Sequence, residues 1–168
     1  MRTNWVLTLF FLLLVAGASA QNEFRTAVKE TKVNGYFRTY FMQTLNQDSL
    51  QDWHSLAVGG KLGFETGSYY GFSVGADFYA SVNTGIGNVD ATDPTTGRGS
   101  RYELGMYNML DPTEREIYQL GEAYLRYRRK GHSFEVGRMK RMSPLLNHQD
   151  GRMIPTFFQG AWYTNTSL

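Results

Sequence analysis

The sequence contains no cysteine, which excludes a disulfide framework and thiolate metal sites. It also lacks a strong charge of one sign: 17 basic and 15 acidic residues leave a formal charge of +2, which argues against a dedicated nucleic-acid-binding protein. Beyond an apolar segment at the N-terminus, no hydrophobic run is long enough for a membrane helix, and the mean hydropathy is −0.40. These totals fit either a soluble all-β domain or a transmembrane β-barrel, whose strands dilute their apolar signal with a polar lumen face.

The N-terminal apolar segment has the layout of a secretory signal peptide. Arg2 supplies a positive charge, residues 5–15 form an apolar core, and residues 18–20 (Ala-Ser-Ala) form a small-x-small cleavage site. The alternative, a membrane anchor, needs a longer apolar run and a charged flank that stops transfer. We therefore predict that residues 1–20 are removed on export and that the mature chain starts at Gln21.

Residues 55–82 show the clearest strand pattern in the chain. Apolar residues alternate with glycine, hydroxyl-bearing and charged residues on both sides of a short break at residues 66–68. Because side chains alternate faces along a strand, each arm has one apolar and one polar face, and the glycine in the break favours a β-hairpin. Each arm also has about the length of a tilted strand that crosses a bilayer, roughly 9–11 residues.

Further segments alternate in the same way, and strands are predicted at residues 36–42, 117–128, 133–139 and from 161 onward. The connections between the predicted strands are alternately short and long. Outer-membrane barrels show this asymmetry, with short periplasmic turns and long extracellular loops, whereas a soluble sandwich has no reason to keep its long loops at one end. The sequence therefore predicts an all-β fold, an incomplete antiparallel transmembrane β-barrel with long extracellular loops near residues 43–54, 83–116 and 140–160.

Aromatic residues cluster where the predicted strands meet the short turns. Such residues are expected to form the girdle that outer-membrane barrels place at the membrane–water interface. The predicted girdle contains Tyr36, Phe37, Phe64, Tyr69, Tyr70, Phe72, Tyr124 and Tyr127. The alternative is that strands are rich in aromatic residues simply because of β-propensity.

Charged side chains fall mostly on the polar parity of the predicted strands. A charge on the lipid face of a barrel costs about 2–4 kcal/mol at the bilayer midplane, so this parity is expected to face water. We predict a pore lining made of Arg38, Lys61, Glu65, Asp77, Glu122, Arg126 and Arg128. The alternative for any one of them is a bracing role, such as an ion pair between Glu122 and Arg126. Arg138 falls on the apolar parity, so either the strand has left the bilayer there or a bulge resets its phase.

Catalytic and metal-binding patterns are weak. His54, His132 and His148 lie in three separate connections, so no metal site is predicted. Residues 59–61 (Gly-Gly-Lys) lack the following Ser or Thr and the glycine spacing of a phosphate-binding loop. We predict no catalytic residue, no cofactor and no enzymatic activity.

Residues 120–127 (LGEAYLRY), 135–138 (EVGR) and 143–160 (SPLLNHQDGRMIPTFFQG) resemble the OprD family of outer-membrane porins. The resemblance implies a monomeric or loosely trimeric barrel of about 18 strands in the bacterial outer membrane. It also implies passage of small solutes such as amino acids, peptides or carboxylates. The third extracellular loop, here about residues 140–160, is expected to fold inward and narrow the pore.

The same resemblance implies roles for individual residues. Basic residues of the wall, here Arg38, Arg126 and Arg128, are expected to guide the carboxylate of a solute. The implied lining of the constriction loop is Asn147, His148, Asp150 and Arg152. The alternative is that these loop residues brace the loop itself.

Five strands and the start of a sixth cannot close a barrel, because single-chain bacterial barrels have an even number of strands from eight upward. We therefore expect this chain to be the N-terminal part of a longer porin, whose unpaired edges would aggregate in isolation. The leading hypothesis for function is passive, substrate-selective diffusion of small solutes, with membrane lipid as the surrounding partner. The alternatives are a structural or adhesive barrel without an open pore, and an outer-membrane hydrolase.

Overall fold

The computed structural model describes residues 22–108, 111 and 113–166. This part of the chain is mostly antiparallel strand, with a helix over residues 22–29 and one turn of 3-10 helix at Leu104–Met106. The strands are β1 (Lys32–Thr44), β2 (Trp53–Glu65), β3 (Phe72–Gly87), β4 (Glu116–Arg129), β5 (His132–Met139), β6 (Met142–Ser143), β7 (Leu146–Asn147) and β8 (Phe158–Asn165). The predicted signal peptide, residues 1–20, lies outside the described residues.

One large sheet contains six strands in the order β1-β2-β3-β4-β5-β8, and β6 pairs with β7 in a separate small hairpin. All neighbouring strands in the large sheet are antiparallel. Over the described residues this sheet does not close on itself, since β1 and β8 each pair on one side only. The predicted all-β, antiparallel and incomplete barrel is therefore confirmed, with strands longer than the alternation alone indicated.

The connections at the two ends of the sheet differ in length. Residues 66–71 and 130–131 form the turns at one end, which we call the short-turn end. The connections at the other end comprise residues 45–52, 88–115 and 140–157. The helix over residues 22–29 precedes β1 at the short-turn end, in a polar segment that lies outside the predicted strands. In the described part of the chain, no helix is both long and apolar enough to cross a membrane.

The two faces of the sheet have opposite characters. On one face, here called the outer face, large apolar side chains are exposed: Phe37 is 76% exposed and Phe78 is 48% exposed. On the other, here called the covered face, charged side chains are buried, with Arg126 at 9% and Glu135 at 7% exposure. This arrangement is the reverse of a soluble domain, in which large apolar side chains lie inside and Arg and Glu lie in water.

A β-bulge in β4 reverses part of the predicted alternation. Asp77 of β3 pairs with Glu122, but the next residue of β3 pairs with Leu120, so Gly121 is the extra residue. A side chain at Gly121 would collide with the Tyr79 ring, since an added Cβ would lie 2.5 Å from Tyr79 Cδ2. Because a bulge shifts the alternation by one residue, Tyr118 lies on the outer face with 56% exposure, although it has the same parity in the sequence as Glu122 and Arg126 of the covered face.

The pairing of β5 runs through Arg138 without a shift, so no bulge resets the phase there. Arg138 pairs with Ala123 on one side and with Gln159 on the other, in a register that continues along both ladders. Its side chain is exposed, and its guanidinium lies 5.1 Å from the centroid of the Phe157 ring. An exposed arginine that extends toward an aromatic ring next to the long connection can keep its charge near water.

Two of the long connections fold back over the covered face. Val89, Met106 and Tyr107 from residues 88–115 and Met153 from residues 140–157 form a buried cluster with Ala57 of β2. The floor of this cluster is polar: Ser55 and Tyr107 hydroxyls lie 2.7 Å apart, and the Ser81 hydroxyl donates to the Met106 carbonyl at 2.8 Å. The apolar core of the described chain is therefore small and belongs to loops that pack on a polar sheet face.

Candidate functional site

The covered face carries ordered rows of ion-paired side chains, and the row nearest the short-turn end is the most extensive. Arg126 Nε donates to Glu135 Oε1 at 2.7 Å, and Nη1 of the same arginine pairs with Glu65. The Tyr124 hydroxyl donates to the second oxygen of Glu65 at 3.0 Å, across β3. Tyr124 can reach Glu65 because Gly75 lies between them, where an added Cβ would meet the Tyr124 ring at 2.4 Å.

A second row lies nearer the middle of the sheet. Lys61 Nζ and Asp77 Oδ2 lie 2.6 Å apart on the neighbouring strands β2 and β3. Glu122 forms an ion pair with the Lys140 ammonium at 3.2 Å, and it accepts hydrogen bonds from the Lys140 backbone N–H at 3.2 Å and from the Tyr79 hydroxyl at 3.4 Å. The first residues after β5 are therefore held to the covered face by a buried carboxylate.

A third contact joins the wall to the middle of residues 140–157. Arg38 of β1 binds Asp150 with both ends of its guanidinium, Nη1–Oδ1 at 2.6 Å and Nη2–Oδ2 at 3.0 Å. The same Nη1 donates to the Arg152 carbonyl at 2.5 Å. The hydrogen bonds from Arg38 lower the pKa of the Asp150 carboxyl below its ordinary value, because they stabilise the ionised form. A bidentate pair of this kind specifies geometry as well as attraction.

The segment 140–157, here called the inward loop, lies across the covered face. Near the start of the loop Arg141 pairs with Glu135, and in its middle Asp150 pairs with Arg38. Met153 is buried in the apolar cluster that contains Ala57. Near its end, the Phe157 ring packs against Tyr79 with ring centroids 5.1 Å apart. The inward loop is therefore attached to the sheet at several points along its length.

All of the predicted wall residues have side chains on the covered face, as their parity and pairings place them. Arg38, Lys61, Glu65, Asp77, Glu122 and Arg126 form ion pairs there. Arg128 differs, because it is exposed at the short-turn end and forms no ion pair with the residues that the structure describes. The charges of six predicted wall residues are therefore neutralised by ion pairs, whereas the charge of Arg128 is not neutralised by any described residue.

The four predicted residues of the inward loop also differ from one another. Asn147 accepts the backbone N–H of Gln149 at 2.9 Å, and Nδ1 of the half-buried His148 has no hydrogen-bond partner in the described chain. Asp150 is neutralised by Arg38, whereas the Arg152 guanidinium forms no ion pair with any described residue. It lies against Gly105, and together they line a cleft of about 770 Å3 with Asn147, Gln149, Asp150 and Ile154.

Several residues of these rows were not predicted as site residues. Glu135 and Tyr79 lie on polar parities that were visible in the sequence, and their alternation could have identified them. Lys140 and Arg141 lie in the inward loop, outside the predicted strands, so alternation does not assign their side chains to a face.

The predicted aromatic girdle is wrong for two of its residues. The Tyr124 hydroxyl donates to Glu65 on the covered face, and Tyr36 pairs with Lys61 in register, so its side chain points to the same face. Among the described residues, no group of three or more His, Asp or Glu side chains is placed to hold a metal ion.

Comparison with known proteins identifies the fold. Models of protein families do not match the chain, and neither do curated protein sequences. Among solved structures, Pseudomonas aeruginosa OccK8 (OprE) matches with a TM-score of 0.62 and 18% identity over 84% of this chain and 31% of that protein. Acinetobacter baumannii OccAB1 matches with a TM-score of 0.64 and 18% identity, over 84% and 32% of the two chains.

A third similar structure is P. aeruginosa OpdK with vanillate, with a TM-score of 0.56 and 21% identity over 84% of this chain and 33% of that one. The chain thus spans about a third of the length of these proteins. At these identities the likeness establishes the fold. The resemblance to OprD-family outer-membrane porins is therefore confirmed at the level of structure, and this chain has the fold of part of their barrel wall.

Proposed function

We propose that this chain forms part of the wall of an outer-membrane porin through which small solutes diffuse passively. The observation that carries the proposal is the reversed burial of the sheet: large apolar side chains are exposed on the outer face, and ion-paired Arg and Glu side chains lie on the covered face. In water, the exposed apolar surface would be a strong aggregation hazard. In a bilayer, it is the surface that a barrel strand needs on its lipid side.

The inward loop is the best candidate for a constriction. It is held on the covered face by Glu122, Glu135 and Arg38, so it would remain inside the lumen of a completed barrel. Once the inward loop is packed, its ion pairs with the wall cost little further entropy. They hold the loop in one position, so it does not move freely within the pore. Asn147, His148, Asp150 and Arg152 are then the loop residues that a passing solute would meet.

The charges on this face favour small anionic solutes, with carboxylates as the proposed class. Arg38 and Arg126 are already paired with Asp150, Glu65 and Glu135, so their attraction for a solute anion is reduced. Arg128 and Arg152 are the two arginines of the predicted set without an ion pair among the described residues. We assign them the larger share of anion attraction, in keeping with the vanillate present in one similar protein.

Ion selectivity of the intact protein in planar bilayers tests this function. Arg128→Gln and Arg152→Gln should each shift the reversal potential in a salt gradient toward cation preference. Arg129→Gln is the matched control. Arg129 follows Arg128 in β4, so its side chain has the opposite parity, and the substitution removes the same charge. Equal shifts in Arg128→Gln and Arg129→Gln would contradict a specific role for the covered face.

A structural or adhesive barrel is the second candidate, and the dense ion pairing of the covered face favours it. Lys61–Asp77 and Lys140–Glu122 could belong to a packed, plugged interior rather than to a wetted wall. Single-channel recording of the intact protein separates the two functions, since a plugged barrel would carry no steady current. Discrete conductance steps would exclude the plugged barrel.

Export and assembly complete the proposal. A cleaved signal peptide over residues 1–20 would deliver the chain to the periplasm, and the outer membrane would receive it there. A loose homotrimer is the proposed assembly. The mass of the N-terminal peptide of the mature protein tests the cleavage, which should leave Gln21 as the first residue.

A further inference from the structure

The helix over residues 22–29 packs on the turn between β2 and β3 at the short-turn end. Ala27 is 5% exposed, and its carbonyl accepts the Gly67 N–H at 2.9 Å. The contact is close, because a Cβ added to Gly67 would lie 2.6 Å from Glu30 Cβ and 2.8 Å from the Ala27 carbonyl oxygen. The helix is thus docked on the end of the sheet through its Ala27 side.

The helix leaves two apolar side chains without cover. Phe24 is 58% exposed and Val28 is 55% exposed, and residues four apart lie on the same side of a helix. Arg25 follows Phe24 in the sequence, and Lys29 follows Val28. These two basic residues are also four apart, so a basic pair lies beside the apolar pair on the helix. A helix with an apolar stripe bordered by Lys or Arg is suited to the boundary between lipid chains and headgroups.

The exposed stripe continues into the outer face of the sheet. The Phe24 ring meets the Tyr69 ring edge-on at 6.2 Å, and Tyr69 meets Tyr70 at 4.8 Å. Tyr69 and Phe72 form an antiparallel bridge, so their side chains point to the same face of the sheet. Since Phe72 is an exposed residue of the outer face, the helix and this face share one continuous aromatic surface.

We propose that the helix over residues 22–29 is an interfacial anchor, with Phe24 and Val28 in the lipid boundary at the short-turn side of the membrane. Arg25 and Lys29 then extend toward anionic phospholipid headgroups. The proposal rests on the lipid contact of the outer face under the proposed function. What it adds is a second lipid-binding element, outside the strands, that sets how deeply the short-turn end sits in the bilayer.

Site-directed nitroxide labelling of the intact protein tests the anchor, because this chain has no cysteine of its own. Val28→Cys and Thr26→Cys are labelled in turn in vesicles of phosphatidylcholine and phosphatidylglycerol; both positions are exposed, and Thr26 lies on the far side of the helix. The label at Val28 should collide more with oxygen than with a water-soluble nickel complex, and the label at Thr26 should show the reverse. Equal nickel access at both positions would overturn the anchor, and so would shielding of Val28 from both reagents, which would place another polypeptide there.

A label at Val74→Cys distinguishes failure of the anchor from failure of the porin wall. Val74 is 46% exposed in β3, on the outer face. Oxygen access at Val74 together with nickel access at Val28 would refute the anchor alone, whereas nickel access at Val74 would refute the lipid-facing wall and the anchor with it.

Loss of the close helix–turn contact gives an independent readout. Gly67→Ala should free the helix, so that the Val28 label becomes more mobile and loses its preference for oxygen. Gly151→Ala is the control, because nothing lies within 4 Å of a Cβ added there. An unchanged Val28 label in Gly67→Ala would show that the lipid contact does not depend on docking, against the proposal.

Discussion

Replacing Asp150 by Asn should release the middle of the inward loop from the wall. Asp150 is the loop's bidentate partner for Arg38, with contacts of 2.6 Å and 3.0 Å. Asparagine keeps the size of the side chain but loses the charge and one of the two acceptors. Arg38 would retain its bond to the Arg152 carbonyl, which alone does not fix the position of the loop.

The size of the effect follows from the burial of the pair. Arg38 and Asp150 side chains are 24% and 33% exposed, so the pair lies between a surface ion pair and a buried one. Exposed pairs contribute roughly 0.2–1 kcal/mol, and hydrogen bonds to charged groups contribute about 1.5–3 kcal/mol when shielded from water. We expect about 1–2 kcal/mol for this pair. Because about 1.4 kcal/mol is a factor of ten, the population with the loop away from the wall should rise on the order of tenfold.

Single-channel recording measures this change directly. Asp150→Asn should increase the time spent in a state of larger conductance and the noise of the open channel, since a detached loop obstructs the path less. Asp48→Asn is the control: it removes the same charge from the exposed connection between β1 and β2. In an Arg38→Gln background, Asp150→Asn should have little further effect. Equal behaviour of Asp48→Asn and Asp150→Asn, or additive effects of the two substitutions in the pair, would refute the reasoning.

Acid should mimic the substitution, and two other features of the wall are open to direct tests. The pKa of Asp150 in the folded protein is lowered by its pair with Arg38. The stabilisation from this pair is therefore complete above the ordinary aspartate pKa of about 3.9 and is lost as pH falls through the lowered value. The noise of the open channel should rise in that acid range and not near neutral pH. Phe78→Arg should lower the free energy of unfolding from vesicles by about 2–4 kcal/mol, and Ile86→Arg, near the end of β3, by only about 0–1 kcal/mol; equal costs would argue against lipid on the outer face. Gly121→Ala should destabilise the sheet by displacing the Tyr79 ring, whereas a Gly160→Ala control, with open space at its Cβ, should leave the urea midpoint unchanged.

The strands could be predicted from the sequence because one face had to be apolar. The alternation of residues 55–82 indicated both arms of the β2–β3 hairpin, and the structure has strands there at Trp53–Glu65 and Phe72–Gly87. The same alternation identified which parity carries charge. It could not show that β4 contains a bulge, because Gly121 becomes an extra residue only when β3 is already in register beside it and Tyr79 needs the space.

Aromatic residues were harder to assign than aliphatic ones. Tyr124 and Tyr36 have rings suited to a membrane interface, but each also has a hydroxyl that can serve a polar face. Tyr124 bonds Glu65 across the gap left by Gly75, a contact between strands that are not neighbours. Composition at the end of a strand therefore predicts that aromatic residues are present, and only parity decides which side of the wall they occupy.

Which of the predicted arginines form ion pairs with described residues depends on strand register. One part of that register could be predicted from the sequence. Lys130 and Gly131 form a two-residue turn with positive φ at both positions, 48° and 81°, as a type I′ hairpin requires. Once that turn is placed, Arg126 must lie opposite Glu135, and this pairing is present. The bond from Arg126 to Glu65 spans β3, and its existence depends on side-chain reach rather than on any hairpin rule. Parity therefore predicts which residues share a face, a tight turn predicts nearest pairs on it, and only the folded sheet shows which charges remain for a solute.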